Sequence, residues 1–401
     1  MKNTKTKIST SGALPPLALY IHIPWCIRKC PYCDFNSHQT KESSPSQPGF
    51  PEDAYIKALL EDLATDLPFV QGRIIETLFF GGGTPSLLSA SALERLLVGI
   101  HALVPIAKNA EITLEANPGT FEQEKFTAYY NAGINRLSIG VQSFQPEQLK
   151  ILGRIHDQNE ATAAAGMAQR AGFNKLNIDL MYGLPNQTPD QALDDLAQAV
   201  ALNPSHISWY QLTIEPNTVF YNKPPTLPED DALWDIQEAG QTYLQQQGYL
   251  QYEISAYAKK ESQCQHNVNY WQFGDYLGIG AGAHGKVTLA DTLEIIRYQK
   301  TRMPTDYLKR ALEEDKTFLS STTLVDKDER AMEFFMNGLR LNDGISKQHF
   351  FQRTLHSTIP EALEKPLKQA VTKGLLIETN ECWKPTELGR QHLNTLLQLF
   401  I

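Results

Sequence analysis

Over the first ~285 residues, short apolar runs bounded by turn residues alternate with segments whose apolar positions recur at helical spacing. "LALYIHI", "IETLFF", "AEITLEA", "INRLSIGV", "KLNIDLMYG" and "HISWYQL" read as strands. "AYIKALLEDLATDL", "ALERLLVGIHAL", "FEQEKFTAYYNAG", "NEATAAAGMAQRAG" and "PDQALDDLAQAVAL" lie between them and read as helices; "EDDALWDIQEAGQTYLQQQG" follows the sixth strand. Such alternation is the pattern of a parallel sheet wrapped by helices. Six repeats are fewer than the eight that close a barrel, so the expectation is α/β: an open, partial (β/α)6 barrel of TIM type with a lateral cleft. In parallel barrels the chemistry sits at the C-terminal ends of the strands, so residues just after each strand converge on one mouth.

The chain has 401 residues, more than this barrel needs. After residue 320 the pattern changes. "DERAMEFFMNGLRL", "SKQHFFQRTL", "ALEKPLKQAVTKG" and "TELGRQHLNTLLQLF" read as helices, and "LLIETNECWKPT" as a hairpin across Asn380–Glu381. The expected organisation is a tail over 1–16, the barrel over 17–290, a linker over 291–320 and a small, mainly helical, winged-helix-like unit over 321–401. "SSPSQPGFPED" (43–53) reads as a loop by composition. A formal charge of −9 argues against a nucleic-acid partner. No apolar run approaches the ~18 residues of a membrane span, and prolines and a histidine interrupt the apolar N-terminal stretch, against a signal peptide. A cytoplasmic protein is the expectation.

"WCIRKCPYCDFNSH" (25–38) holds Cys26, Cys30 and Cys33, three of the five cysteines, at C-x3-C-x2-C spacing. Three thiols grouped this way bind something. Zinc is one reading, with His22 or His38 as fourth ligand; a four-iron cluster with one iron left open to a small molecule is the other. "FFGGGTPSLL" follows the second strand. Its Gly81–Gly83 run makes a tight turn or a cradle, and no Lys follows to make it a phosphate loop.

With these motifs together, the chain resembles the radical S-adenosylmethionine superfamily. "YIHIPWC", "FFGGGTPS", "EANPGT", "SIGVQSF", "LGRIH" and "DLMYGLP" occur in the order seen in oxygen-independent coproporphyrinogen III oxidases and their relatives. The resemblance implies a [4Fe–4S] cluster on Cys26, Cys30 and Cys33, S-adenosyl-L-methionine on the open iron, and an electron donor. It implies cofactor contacts by Tyr20, the Tyr32 backbone, Gly82, Gly83, Thr84, Glu115, Gln142, Arg154 and Asp179. Glu115 and Asp179 offer carboxylates, and Arg154 a fork for a carboxylate. The bland alternatives are a Glu115–Arg154 surface ion pair and a turn cap for Asp179.

Two departures point away from the oxidase. The family's oxidases carry a further cysteine where this chain has Phe35. The run His266-Asn267-Val268-Asn269-Tyr270-Trp271 resembles the H-N-x-x-Y-W motif of the heme chaperones of this family. That likeness implies heme as ligand, apo-haemoproteins as acceptors with any membrane contact made through them, and room for a homodimer. His266, Asn267, Tyr270 and Trp271 are the heme candidates, histidine being an ordinary axial ligand. The alternatives are radical decarboxylation of coproporphyrinogen III, a structural zinc protein, and a His266 bonded only to its own fold. No catalytic residue is assigned. Cys264 reads as a buried small hydrophobe, and Cys382 carries no role.

Overall fold

The computed structural model describes residues 14–41, 49–119 and 123–400. The expected tail, save its last three residues, and the first part of the Pro-rich loop lie outside the described residues.

One twelve-stranded sheet organises the chain. Seven parallel strands form its middle, in spatial order Asp275–Ile279, Leu17–Ile23, Ile75–Gly82, Ile106–Ala116, Arg136–Gln142, Lys175–Tyr182 and His206–Gln211. Antiparallel strands flank them. Ala256–Ala258 and Leu250–Glu253 lie beyond the last, while His284–Thr288, Ile295–Lys300 and Leu319–Leu324 lie beyond the first. All six expected strands are present. The seventh comes from the glycine-rich "GDYLGIGAGAHG". The two ends of the sheet do not pair with each other, so the barrel stays open.

Side chains alternate across each strand. Leu19, Ile21, Leu78, Phe80, Leu114, Leu137, Ile139, Ile178 and Ile207 are buried in the main hydrophobic core. The opposite positions are polar or aromatic: Tyr20 and His22, Thr77 and Phe79, Thr113 and Glu115, Ser138 and Gln142, Asn177 and Asp179, His206 and Ser208. Parallel strands are ordinarily apolar on both faces, so a polar interior row marks the inside of this barrel as the working surface. The outer helices carry their own start signals. Asp157 with Glu160, and Thr188 with Gln191 behind Pro189, form capping boxes.

Residues 291–320 differ from the linker expected there. Ile295–Lys300 is an interior strand of the extended sheet, followed by the helix Pro304–Arg310. Burial of Lys300 explains the difference. Its ammonium sits 2.6 Å from Asp62 Oδ1 and 2.8 Å from Asp66 Oδ1, all three side chains almost without solvent exposure. The Tyr307 hydroxyl donates to Asp62 (2.6 Å), the Tyr298 hydroxyl to Asp66 (3.0 Å), and the Gly280 amide to Asp62 (3.0 Å).

Among the described residues the C-terminal unit has three longer helices, Lys327–Gly338, Lys347–Thr354 and Glu361–Thr372, and two short ones, Glu387–Gln391 and Leu393–Leu397, where a single helix was expected. The expected hairpin pairs Leu376–Glu378 with Cys382–Pro385. Phe334, Phe335, Phe350, Trp383 and Phe400 form its core, to which Phe273 and Ile295 contribute from the barrel side. Among the described residues no helix is long and apolar enough to cross a membrane.

Candidate functional site

The cysteine loop leaves the first strand and is fastened at both ends. Trp25–Cys26 pairs in parallel with His38–Gln39. The glycine turn closes against the same stretch: the Gly83 amide donates to Ile23 O (2.8 Å) and the Thr84 amide to Trp25 O (2.7 Å). Two glycines are obligatory here. Gly82 has φ +115°, and a Cβ there would meet the His22 ring at 2.6 Å; one on Gly83 would meet Trp25 O at 2.5 Å.

Each thiol has a donor beside it. The hydroxyls of Thr84 and Ser37 reach Cys26, the Ser37 hydroxyl lies 3.6 Å from Cys33 Sγ, and Arg154 Nη1 lies 3.7 Å from Cys30 Sγ. Burial pushes the Cys26 thiol up to about 11 and raises Cys33 as well. Among the described residues no three His, Cys, Asp or Glu side chains converge on a single ion. Both proposed zinc histidines are engaged. His22 bonds Tyr20 through Nδ1 (3.0 Å) and Asn36 O through Nε2 (2.9 Å), and His38 Nε2 bonds Asn36 Oδ1 (3.1 Å). No closed Cys3His site is assembled among the described residues. A four-iron cluster makes no such demand, because each thiolate takes a different iron.

Glu115 and Arg154 are not the surface pair weighed above. Glu115 accepts the Gly82 amide (3.2 Å). Burial, then the charge of Asp179, pushes its carboxyl up to about 8, and no cation pairs with it among the described residues. Arg154 is buried. Nη2 donates to Asn117 Oδ1 (2.8 Å) and to Gly140 O, while Nε has no partner among the described residues. Asp179 lies in mid-strand rather than at the expected strand end and caps no turn. It accepts from Ser138 Oγ and Asn177 Nδ2, each at 2.7 Å, and burial raises its pKa. Gln142 closes its strand in the left-handed region, at φ +72°, and its Oε1 accepts from the Tyr210 hydroxyl (2.7 Å). Tyr32 packs against the cluster of Leu152, Met181 and Phe220.

A cavity of about 770 Å³ opens beside these groups, lined by Tyr20, Phe79, Gly82 and Glu115 and by His266, Asn267, Tyr270 and Trp271. The last four sit on the short helix Gln265–Trp271. Its position is fixed from three sides. Glu111 Oε1 accepts the Gln265 amide (2.8 Å), the Tyr252 hydroxyl accepts the Cys264 amide (3.2 Å), and Thr77 Oγ1 bonds His266 Nδ1 (2.9 Å). At the far end Asn269 Nδ2 donates to Asp275 O (3.1 Å). His266 Nε2 carries no hydrogen bond among the described residues. Its ring lies 5.0 Å from that of Phe79 and 6.5 Å from that of Tyr20. Burial pushes the imidazole down to about 3, so it is neutral at physiological pH. Trp271 also faces the C-terminal unit, with the Arg340 guanidinium 4.3 Å from its ring centre. Cys264 is buried, and burial pushes its thiol up to about 12.

A model described as the radical SAM superfamily matches residues 20–199, and one described as the HemN C-terminal domain matches 325–392. Heme chaperone HemW of Escherichia coli is 52% identical over 388 residues, 97% of this chain and 99% of that protein. This chain belongs to the HemW family. HemW of Haemophilus influenzae is 51% identical, covering 97% of this chain and 98% of its own, and HemW of Bacillus subtilis is 32% identical, covering 95% and 98%. The solved structure of coproporphyrinogen III oxidase (HemN) from Escherichia coli, described as a radical SAM enzyme, superposes with a TM-score of 0.80 at 25% identity, covering 96% of this chain and 90% of that one. Against that shared fold, Phe35 is 61% exposed on the cavity rim.

Sequence reasoning singled out neither Asn36, Thr77 nor Glu111. Asn36 joins the cysteine loop to the far rim, donating to Ala281 O (2.8 Å) and Arg302 O (2.9 Å). Thr77 and Glu111 hold the His266 helix. For Thr77 and Glu111 the available signal was their place on the polar face of strands whose other face is apolar.

Proposed function

We propose that this chain is a heme chaperone, which holds heme in the cavity under the helix Gln265–Trp271 and passes it to apo-haemoproteins. One observation carries the reading. His266 lines an aromatic-walled cavity with Nδ1 held by Thr77, and its Nε2 carries no hydrogen bond among the described residues. Histidines that ligate metals ordinarily have the second ring nitrogen fixed in this way, and a neutral imidazole keeps the lone pair that iron needs. The cavity volume falls within the ~300–1,000 Å³ of small-molecule sites, and the curated relatives are named heme chaperones.

We assign a [4Fe–4S] cluster to Cys26, Cys30 and Cys33. Bound there, it supplies one-electron chemistry and an iron open to S-adenosyl-L-methionine. The residues suit both groups. Thr84, Ser37 and Arg154 direct donors at the three sulfurs, which favours thiolates. Glu115, half-buried and without a counter-ion among the described residues, favours a cation at the end of the glycine turn. In this reading Gly82, Gly83 and Thr84 approach the cofactor through backbone, with Tyr20, Tyr32, Gln142 and Arg154 around it. Asp179, oriented by Ser138 and Asn177, takes the ribose hydroxyls. Free thiols around such a cluster belong in a reducing compartment, and we assign the chain to the cytoplasm. An external electron donor serves the cluster.

Heme titration into the intact protein and His266→Ala, followed by the Soret band, tests the proposal. The variant should bind at least tenfold more weakly. Equal binding removes His266 from the site, and failure of both to bind removes the heme reading. Turnover of coproporphyrinogen III by the anaerobically reconstituted protein would restore the oxidase alternative.

A further inference from the structure

We infer that Arg302 anchors a carboxylate of the bound tetrapyrrole and so fixes which edge of the ring enters the cavity; the inference rests on the heme reading above. Heme is a flat apolar disc with both propionates on one edge. The cavity offers both kinds of surface: Phe79, Tyr270 and Trp271 supply aromatic faces, and Arg302 lines it together with His284 and Gln299, which are paired across neighbouring strands.

Arg302 is the one arginine among the described lining residues, and its guanidinium has neither an ion pair nor a hydrogen bond among them. The neighbouring cations are committed elsewhere. Arg297 is held by Glu333 (2.7 Å) and bonds the Tyr276 hydroxyl (3.3 Å), Lys300 is buried between Asp62 and Asp66, and Lys29 donates to Phe35 O and Ser37 O. Of the two lining acids, Glu115 accepts the Gly82 amide, and Asp34 does not pair with Arg302.

The backbone at this edge is fixed although the side chain is free. Asn36 Nδ2 holds Arg302 O (2.9 Å), the Gly282 amide donates to Thr301 O (2.9 Å), and the Thr301 amide to Phe318 O (2.8 Å). A planar guanidinium on a fixed backbone, lining a cavity whose two acids do not pair with it, is a carboxylate receptor by geometry and charge. With iron at His266 Nε2 and a propionate at Arg302, the ring has one favoured orientation.

The test compares heme with its dimethyl ester, in which both carboxylates are capped, by Soret titration of the intact protein, Arg302→Gln and Arg302→Lys. The intact chain should bind free-acid heme roughly tenfold more tightly than the ester. Arg302→Gln should lose that preference while binding the ester unchanged, and Arg302→Lys should keep part of it. The ester comparison on the intact protein needs no variant, so a folding defect cannot mask the answer. Tight binding of both forms by the intact protein, or a preference that survives in Arg302→Gln, overturns the anchor and leaves the heme reading standing. Binding of neither form overturns the heme reading and the anchor with it.

Discussion

Replacing Lys300 by Met removes the one cation, among the described residues, that pairs with two buried carboxyls. The Asp62 and Asp66 Oδ1 atoms, now 2.6 and 2.8 Å from the ammonium, would lose that partner, while the Oδ2 atoms keep the Tyr307 hydroxyl and Gly280 amide on Asp62 and the Tyr298 hydroxyl on Asp66. Breaking a buried pair by removing one partner costs about 3–5 kcal/mol. The loss should depend on pH. Burial, only partly offset by Lys300, already raises Asp62 and pushes Asp66 up to about 6; without the ammonium both go higher. A carboxyl whose folded pKa is raised binds a proton that the unfolded chain, titrating near ~4, has released. Its stability contribution is therefore present at low pH and lost as pH rises through the folded value. Intact Asp66 completes that loss just above pH 6. The variant's carboxyls continue to higher pH, so its deficit should widen between pH 6 and 8 by about 1–3 kcal/mol. Urea unfolding of both proteins at the two pH values measures this. The triple replacement Asp62→Asn, Asp66→Asn, Lys300→Met should recover most of the loss. A deficit under about 1 kcal/mol, or one equal at both pH values, would refute the reasoning.

Two further outcomes follow from the cofactor end. Gly82→Ala forces a Cβ to within 2.6 Å of the His22 ring at φ +115°; it should cost about 1–3 kcal/mol and lower the iron and sulfide retained per chain after anaerobic reconstitution. Glu115→Gln should weaken S-adenosylmethionine binding roughly tenfold, read from the perturbation of the reduced cluster's paramagnetic resonance. Glu115 titrates at about 8 and only its charged form attracts the cofactor's cation. Affinity in the intact protein should therefore fall from pH 8.5 to 6.5, while the Gln variant stays flat.

Six strands, the cysteine loop and the C-terminal hairpin were legible because local pattern alone specifies them: alternation, turn glycines and thiol spacing. What escaped depends on partners distant in sequence. Ile295–Lys300 did not stand out as a strand because its last residue is a lysine, which enters the core only through an aspartate 238 positions away. Asp179 looked like a strand-end ligand, yet its mid-strand place is set by register with Gly140 and Ser208. Asn36 and Glu111 are ordinary polar residues until the fold brings Ala281 and Gln265 to them. The heme motif was readable as a string. That Trp271 would also meet Arg340 from the C-terminal unit was not.

The strand Ile75–Gly82 carries Thr77, which holds the His266 ring, and ends in the glycine turn that receives Glu115. Five residues of extended chain separate the two points, about 16 Å at the rise of a strand. The strand thus works as a spacer bar. The gap between the cofactor turn and the imidazole is therefore set by one piece of backbone, bonded along both sides by its neighbouring strands.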